Sequence, residues 1–172
     1  MSLILNFIRD MSLYMIISLP IFIFIRYIVY LKTKKFNLKK EILLLIFAMF
    51  LVSLASQTIL PKYDENNNLI VSDVRLNLIP FKIFYDSYIE FQKGNIYYLI
   101  ISLIGNIIMF IPIGFLIKSI WNLDNKKIIL IGFLISLSIE SIQIFIGRQT
   151  DIDDIILNVF GVYLGIKLKC KL

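Results

Sequence analysis

The sequence predicts an all-α fold: a polytopic bundle of about five transmembrane helices, with the N-terminus out and the C-terminus in. Three observations lead there. The 172 residues are 59% hydrophobic and only 17% charged, with a mean hydropathy of +0.84. Several apolar runs approach or exceed the roughly 18 residues that mark a bilayer-crossing helix. Lysines gather between those runs, where short positive loops report the cytoplasmic side. An ordinary soluble domain is about 45 to 50% apolar and about 25% charged. A water-soluble fold of this size could not hide so much apolar surface.

The first run, residues 11–31, contains Pro20 and carries Arg26 near its far end, where the side chain can reach toward headgroups. It ends in lysines rather than in a small-residue cleavage site, so it reads as a retained helix. Lys32, Lys34, Lys35, Lys39 and Lys40 then anchor a cytoplasmic linker. Residues 1–41 form this helix and linker, and residues 42–172 form the main transmembrane domain.

A second span, residues 42–60, stops at Pro61. The polar segment that follows has about four basic and about five acidic residues, which fits the outer face. Within it, DENNN reads as a turn, LIVSDVRLNLIPF as an extended or interfacial segment, and IFYDSYIEF as a short helix at headgroup level. The third span, residues 96–118, is interrupted by Asn106 and Pro112, and exits near Lys118, Lys126 and Lys127. The fourth, residues 128–146, delivers Gly147, Arg148 and Gln149 to the outside. The fifth, residues 155–168, returns to a tail with Lys167, Lys169 and Lys171. A competing four-span arrangement makes this last segment re-entrant, because about 14 apolar residues cover only about 21 Å of a roughly 30 Å hydrocarbon core.

Composition also excludes. There is no histidine, which removes Ser/His/Asp triads, HExxH metallopeptidases and histidine proton relays. A single cysteine, Cys170, forbids an internal disulfide and any zinc cluster built on thiols. The net charge of +6 does not form a basic patch interleaved with aromatics, so nucleic acid is not an expected partner. No cofactor is expected; the bilayer is the solvent.

Polar chemistry concentrates in SIESIQIFIGRQTDIDDIILN, residues 138–158. Glu140 lies roughly 10 Å below the outer end of its helix, and Asn106 roughly 15 Å into its own, so the two are expected to be near neighbours. Ser136, Glu140, Gln143 and Gly147 share one helical face, and Asp154, Asn158, Gly161 and Gly165 share a face of the next helix. Two such faces turn toward each other. Gly161 and Gly165 form a GxxxG that lets a further helix approach the lower half, leaving the upper half to open as a polar pocket. A carboxylate facing lipid costs about 2.5 to 3.5 kcal/mol even on lenient scales, so Glu140 requires protonation or a partner. Gln143, Asn106 and Arg148 are the available partners. Interhelical glue is the simpler alternative for Glu140.

Asp151, Asp153 and Asp154 precede an apolar helix, where carboxylates cap free amides and suit the positive end of the dipole. Three acids exceed that need, and at least one is expected to contact a ligand. DxDD alone does not specify a coordination loop, so metal dependence stays open.

LNLIPF at residues 76–81, GNIIMFIPIGF at 105–115 and SIESIQIFIGRQTDIDDIILNVFGVYLG at 138–165 resemble, in order and spacing, the VanZ-like membrane protein family. One of its members is associated with low-level resistance to the glycopeptide teicoplanin. The resemblance implies a multi-pass cell-membrane protein of a Gram-positive type of envelope. Its motif positions fall on Asn77, Pro80, Phe81, Asn106, Phe110, Pro112, Gly114, Glu140, Gln143, Gly147, Arg148, Asp151, Asp153, Asp154, Asn158 and Gly161, and it implies no particular reaction. The expected function is a non-enzymatic envelope protein whose outward pocket binds a glycopeptide, a lipid-linked cell-wall precursor or a membrane partner. Arg148 would meet an anionic group, and the acids its polar or cationic parts. The alternative is an intramembrane enzyme acting on a lipid headgroup, with Glu140 or an aspartate as general base and a divalent cation as electrophile.

Overall fold

Long runs of Ile, Leu and Phe with few breakers become helices here, and polar residues mark where each one stops. The computed structural model describes residues 2–59, 76–96 and 100–171. The turn expected at DENNN and the first part of the extended segment lie outside the described residues. The chain divides into two compact units, Met1–Leu60 and Pro61–Leu172.

In the first unit, α1 (Ser2–Thr33) continues through Pro20, and α2 (Leu38–Thr58) follows a short turn. Lys34 takes a left-handed φ of 53° and donates its N–H to Tyr30 O at 2.8 Å, closing α1. Asn37 then caps α2, its Oδ1 accepting the Lys40 N–H at 3.0 Å. Arg26 donates from Nε to Glu41 Oε2 at 2.6 Å and from Nη2 to Glu41 Oε1. A guanidinium inside an apolar helix takes the carboxylate its neighbour supplies, because a bidentate pair satisfies both charges where water is scarce.

The second unit contains β1 (Leu76–Asn77), α3 (Lys82–Gln92), a π-helical turn (Ile100–Gly105), α4 (Asn106–Trp121), α5 (Asn125–Phe145), β2 (Thr150–Asp151) and α6 (Ile152–Lys171). The IFYDSYIEF segment falls inside α3. The π-helical turn inserts its extra residue immediately before Asn106, so the break in the third apolar run precedes the asparagine. Pro112 sits inside α4 without ending it.

Three of the described helical segments are long and apolar enough to cross a membrane: Ser12–Thr33, Ser102–Trp121 and Asn125–Phe145. The last helix outruns its apolar stretch. The acids at its start and the lysines at its end are themselves helical, and its 20 residues reach about 30 Å at 1.5 Å per residue.

Glycines bring the bundle together. A Cβ on Gly161 would collide with the carbonyl oxygen of Ile107, one on Gly165 with that of Ile111, and one on Gly114 with that of Val162. Gly161 against Ile107 and Gly165 against Ile111, four residues on in both helices, make α4 and α6 parallel. Helix α5 runs the other way, since Ser136 meets Asn158 while Gly132 lies against the Val162 side chain. Phe110, Ile113, Ile128, Val162 and Ile166 fill the centre. Ile108, Leu130 and Phe133 face outward, as a bundle surrounded by hydrocarbon permits.

Helix α5 ends in a Schellman motif. Gly147 adopts φ 71°, its N–H donating to Ile144 O at 3.3 Å, while the Arg148 N–H donates to Gln143 O at 2.9 Å. Only glycine takes this conformation without Cβ strain, so Gly147 fixes how the chain turns into α6.

Candidate functional site

The site begins with a helix that cannot cap itself. Helix α3 starts after Phe81, which has a left-handed φ of 65° and no side chain able to accept an amide proton. Its free amides are met from far along the chain. Asp153 Oδ1 accepts the Phe81 N–H at 2.5 Å and Oδ2 accepts the Ile83 N–H at 2.8 Å. A carboxylate is the strongest available acceptor at the positive end of a helix, and Asp153 is 1% exposed.

Asp151 secures the same segment one step earlier. Asn77 Nδ2 donates to both of its carboxylate oxygens, at 3.0 and 2.9 Å, and the Asp153 N–H donates to Oδ1 at 2.9 Å. Asn77 Oδ1 in turn accepts the Ile79 N–H at 3.2 Å. The backbone repeats the link as a parallel ladder, Leu76 against Thr150 and Asn77 against Asp151. LNLIPF and DIDD are therefore one structural piece, with Pro80 and Phe81 exposed at its bend.

Below this clasp lie the side chains between the helices. Glu140 is 4% exposed and its Oε2 accepts the Asp151 N–H at 3.2 Å. Its backbone carbonyl receives the Thr150 hydroxyl at 3.3 Å. Asp154, Asp151 and the Arg148 guanidinium are within electrostatic reach of the Glu140 carboxyl. Asn106 Nδ2 donates to Asp154 Oδ1 at 2.5 Å, joining α4 to α6. Asn158 Nδ2 donates to Ser136 Oγ at 2.9 Å, joining α6 to α5. The Asn158 Oδ1 is buried and has no hydrogen-bond partner among the described residues.

Asn106 bonds to Asp154, whose carboxyl is within electrostatic reach of Glu140. Asp151 and Asp153 serve backbone and amide groups. Arg148 is half-buried on the Gly147 turn, and Gln143 contributes its carbonyl there. Glu140 is tied to the Asp151 backbone and Asn106 to Asp154, on either side of the start of α6. Thr150 and the α3 amides are further members; the only sequence signal for the amides is a helix start lacking a capping side chain. Among the described residues, no group of three or more His, Cys, Asp or Glu is arranged to hold a metal ion.

Apolar helices of membrane-crossing length, closing on a buried cluster of carboxyl and amide groups, define a helical membrane protein. The VanZ/LLP1 family profile matches residues 41–170, and the chain belongs to that family. It is similar to Protein VanZ of Enterococcus faecium, with 42% identity over 76 residues, covering 39% of this chain and 43% of that relative. The matched region thus spans less than half of that relative's length. No solved structure matches the chain.

Proposed function

We propose that this family member is a multi-pass protein of the bacterial cell membrane, with about five spans, that binds its ligand rather than transforming it. The ligand class is a glycopeptide such as teicoplanin or a lipid-linked cell-wall precursor, taken at the outward turn between α5 and α6. The observation that carries this reading is the position of Arg148. It is half-buried on a turn set by Gly147, and its guanidinium lies within electrostatic reach of the buried Glu140. A guanidinium so placed is suited to a phosphate or carboxylate arriving from outside, because its planar fork matches either group.

Teicoplanin susceptibility of cells overproducing the protein tests the reading against Arg148→Ala and Glu140→Gln at equal protein levels. Reduced susceptibility that disappears in Arg148→Ala is expected. Susceptibility unchanged by the wild-type protein and by both variants sinks the glycopeptide reading.

A second reading rests on Glu140 and Asp154, two carboxyl groups within reach of each other beside Asn106. Such pairs can divide acid and base roles, which fits an intramembrane enzyme acting on a lipid headgroup. Turnover of a lipid-linked substrate by purified protein, abolished in Glu140→Gln, is its signature.

A further inference from the structure

The α1–α2 hairpin carries a pocket of about 470 Å³, lined by Ile23, Tyr27, Tyr30, Phe36 and the paired Arg26 and Glu41. Tyr30 and Phe36 meet edge to face, with ring centres 6.5 Å apart, which gives one wall a fixed shape. Arg26 and Glu41 neutralise each other, so the lining itself holds no surplus charge. The charge lies in the connection between the two helices, next to the lining residues Tyr30, Phe36 and Glu41 in the chain. Lys32, Lys34, Lys35, Lys39 and Lys40 are all exposed, and the one nearby acid, Glu41, is held by Arg26.

This connection is built rather than loose. The left-handed turn at Lys34 and the Asn37 cap hold the connection, and the Lys34 ammonium stands 5.8 Å from the centre of the Tyr30 ring. The first turn of α2 adds the partial positive charge of its amides. Tyrosines at the end of an apolar helix belong at the level of lipid headgroups, and a basic cluster beside such a helix attracts anionic lipid. Apolar and aromatic walls beside a cationic connection suit a molecule that is anionic at one end and hydrocarbon at the other. A free phosphate would use only the lysines.

We propose that the α1–α2 hairpin binds an anionic phospholipid, its glycerol and upper acyl chains against Ile23, Tyr27, Tyr30 and Phe36, and its phosphate among Lys34, Lys35 and Lys39. The pocket's aromatic walls precede residue 41, where the family match begins, so this site is independent of the Arg148 reading.

The test uses the full-length protein in nanodiscs of equal parts phosphatidylglycerol and phosphatidylcholine, with retained lipid identified by native mass spectrometry. Phosphatidylglycerol is expected to be retained preferentially. Replacing Lys34, Lys35 and Lys39 by Gln should lower that preference by roughly fivefold per lysine, with no change in elution profile because all three side chains are exposed. Phe36→Ala should also reduce retention while leaving the lysines in place. Equal retention of the two lipids overturns the proposal, as does a preference that survives the triple replacement. Displacement by inorganic phosphate would mean a free-anion site, and retention indifferent to Phe36→Ala would mean a basic patch without a pocket. Either result rejects it.

Discussion

Asp153 caps a helix that begins at residue 82: its carboxylate accepts the Phe81 N–H across a sequence separation of 72 and the Ile83 N–H across 70. The acid sits at the start of α6, so the N-termini of two helices share one carboxylate-rich junction. Asn77 and Asp151 repeat the connection with a side-chain amide. Asp151 and Asp153 thus hold LNLIPF against the bundle, while Asp154 is tied to Asn106 of α4.

Asp153→Ala should destabilise the protein by about 1 to 3 kcal/mol, since it leaves the buried Ile83 N–H and the partly buried Phe81 N–H without their charged acceptor. Asp153→Asn should cost less, because one oxygen remains. Thermal unfolding in detergent measures both. Hydrogen exchange at the Phe81 and Ile83 amides should accelerate in Asp153→Ala, and unchanged protection there would refute the cap.

Alanine at Gly161 or Gly165 should cost roughly 1 to 3 kcal/mol, because each new Cβ meets a carbonyl oxygen of α4 rather than a movable side chain. Gly105→Ala is the control. A Cβ there lies 3.9 Å from the nearest atom, in a right-handed backbone conformation, so its stability should stay within about 0.5 kcal/mol.

Hydrogen bonds from Lys93 and from Asn95 hold the Glu90 carboxyl below the ordinary Glu value. A carboxyl whose folded value is depressed contributes stability that is present above its unfolded value and lost as pH falls through the folded one. Acidification should therefore loosen the end of α3, where the Lys93 and Asn95 amides bond back to Glu90. An NMR titration should place Glu90 below an ordinary glutamate, and Lys93→Ala should move it back up.

Cys170 is the only thiol in the chain and is exposed. If the C-terminus faces the cytoplasm, a membrane-impermeant maleimide should label it only after lysis. Labelling in intact cells would reverse the orientation inferred from the lysines.

What could be read in advance divides by physical cause. Helices α5 and α6 were legible because apolar runs, a Gly-Arg turn and flanking charges all mark the same boundaries. The length of α6 was not, since the apolar count over 155–168 leaves out Asp153, Asp154 and Lys169, which are helical all the same. Depth arithmetic made Asn106 and Glu140 near neighbours but could not show that Asn106 bonds to Asp154. Spacing along one helix says nothing about the register of its neighbour. The same ignorance of register hid the Arg26–Glu41 pair, although an arginine in an apolar run was itself a demand for a partner. The contact of Asp153 with α3 was hidden differently, because backbone amides carry no letter in a sequence.

The partner of Asn106 has consequences for biogenesis. Asp154 lies 48 residues further on, and at 5 to 20 residues per second a ribosome needs roughly 2 to 10 s to reach it. During that time α4 enters the bilayer with its amide unlatched and with Gly114 facing no helix. Helix α6, made after α4 and α5, is the one that secures α4, so a nascent chain halted before α6 emerges would present an unfinished helix pair to the cell's membrane quality control.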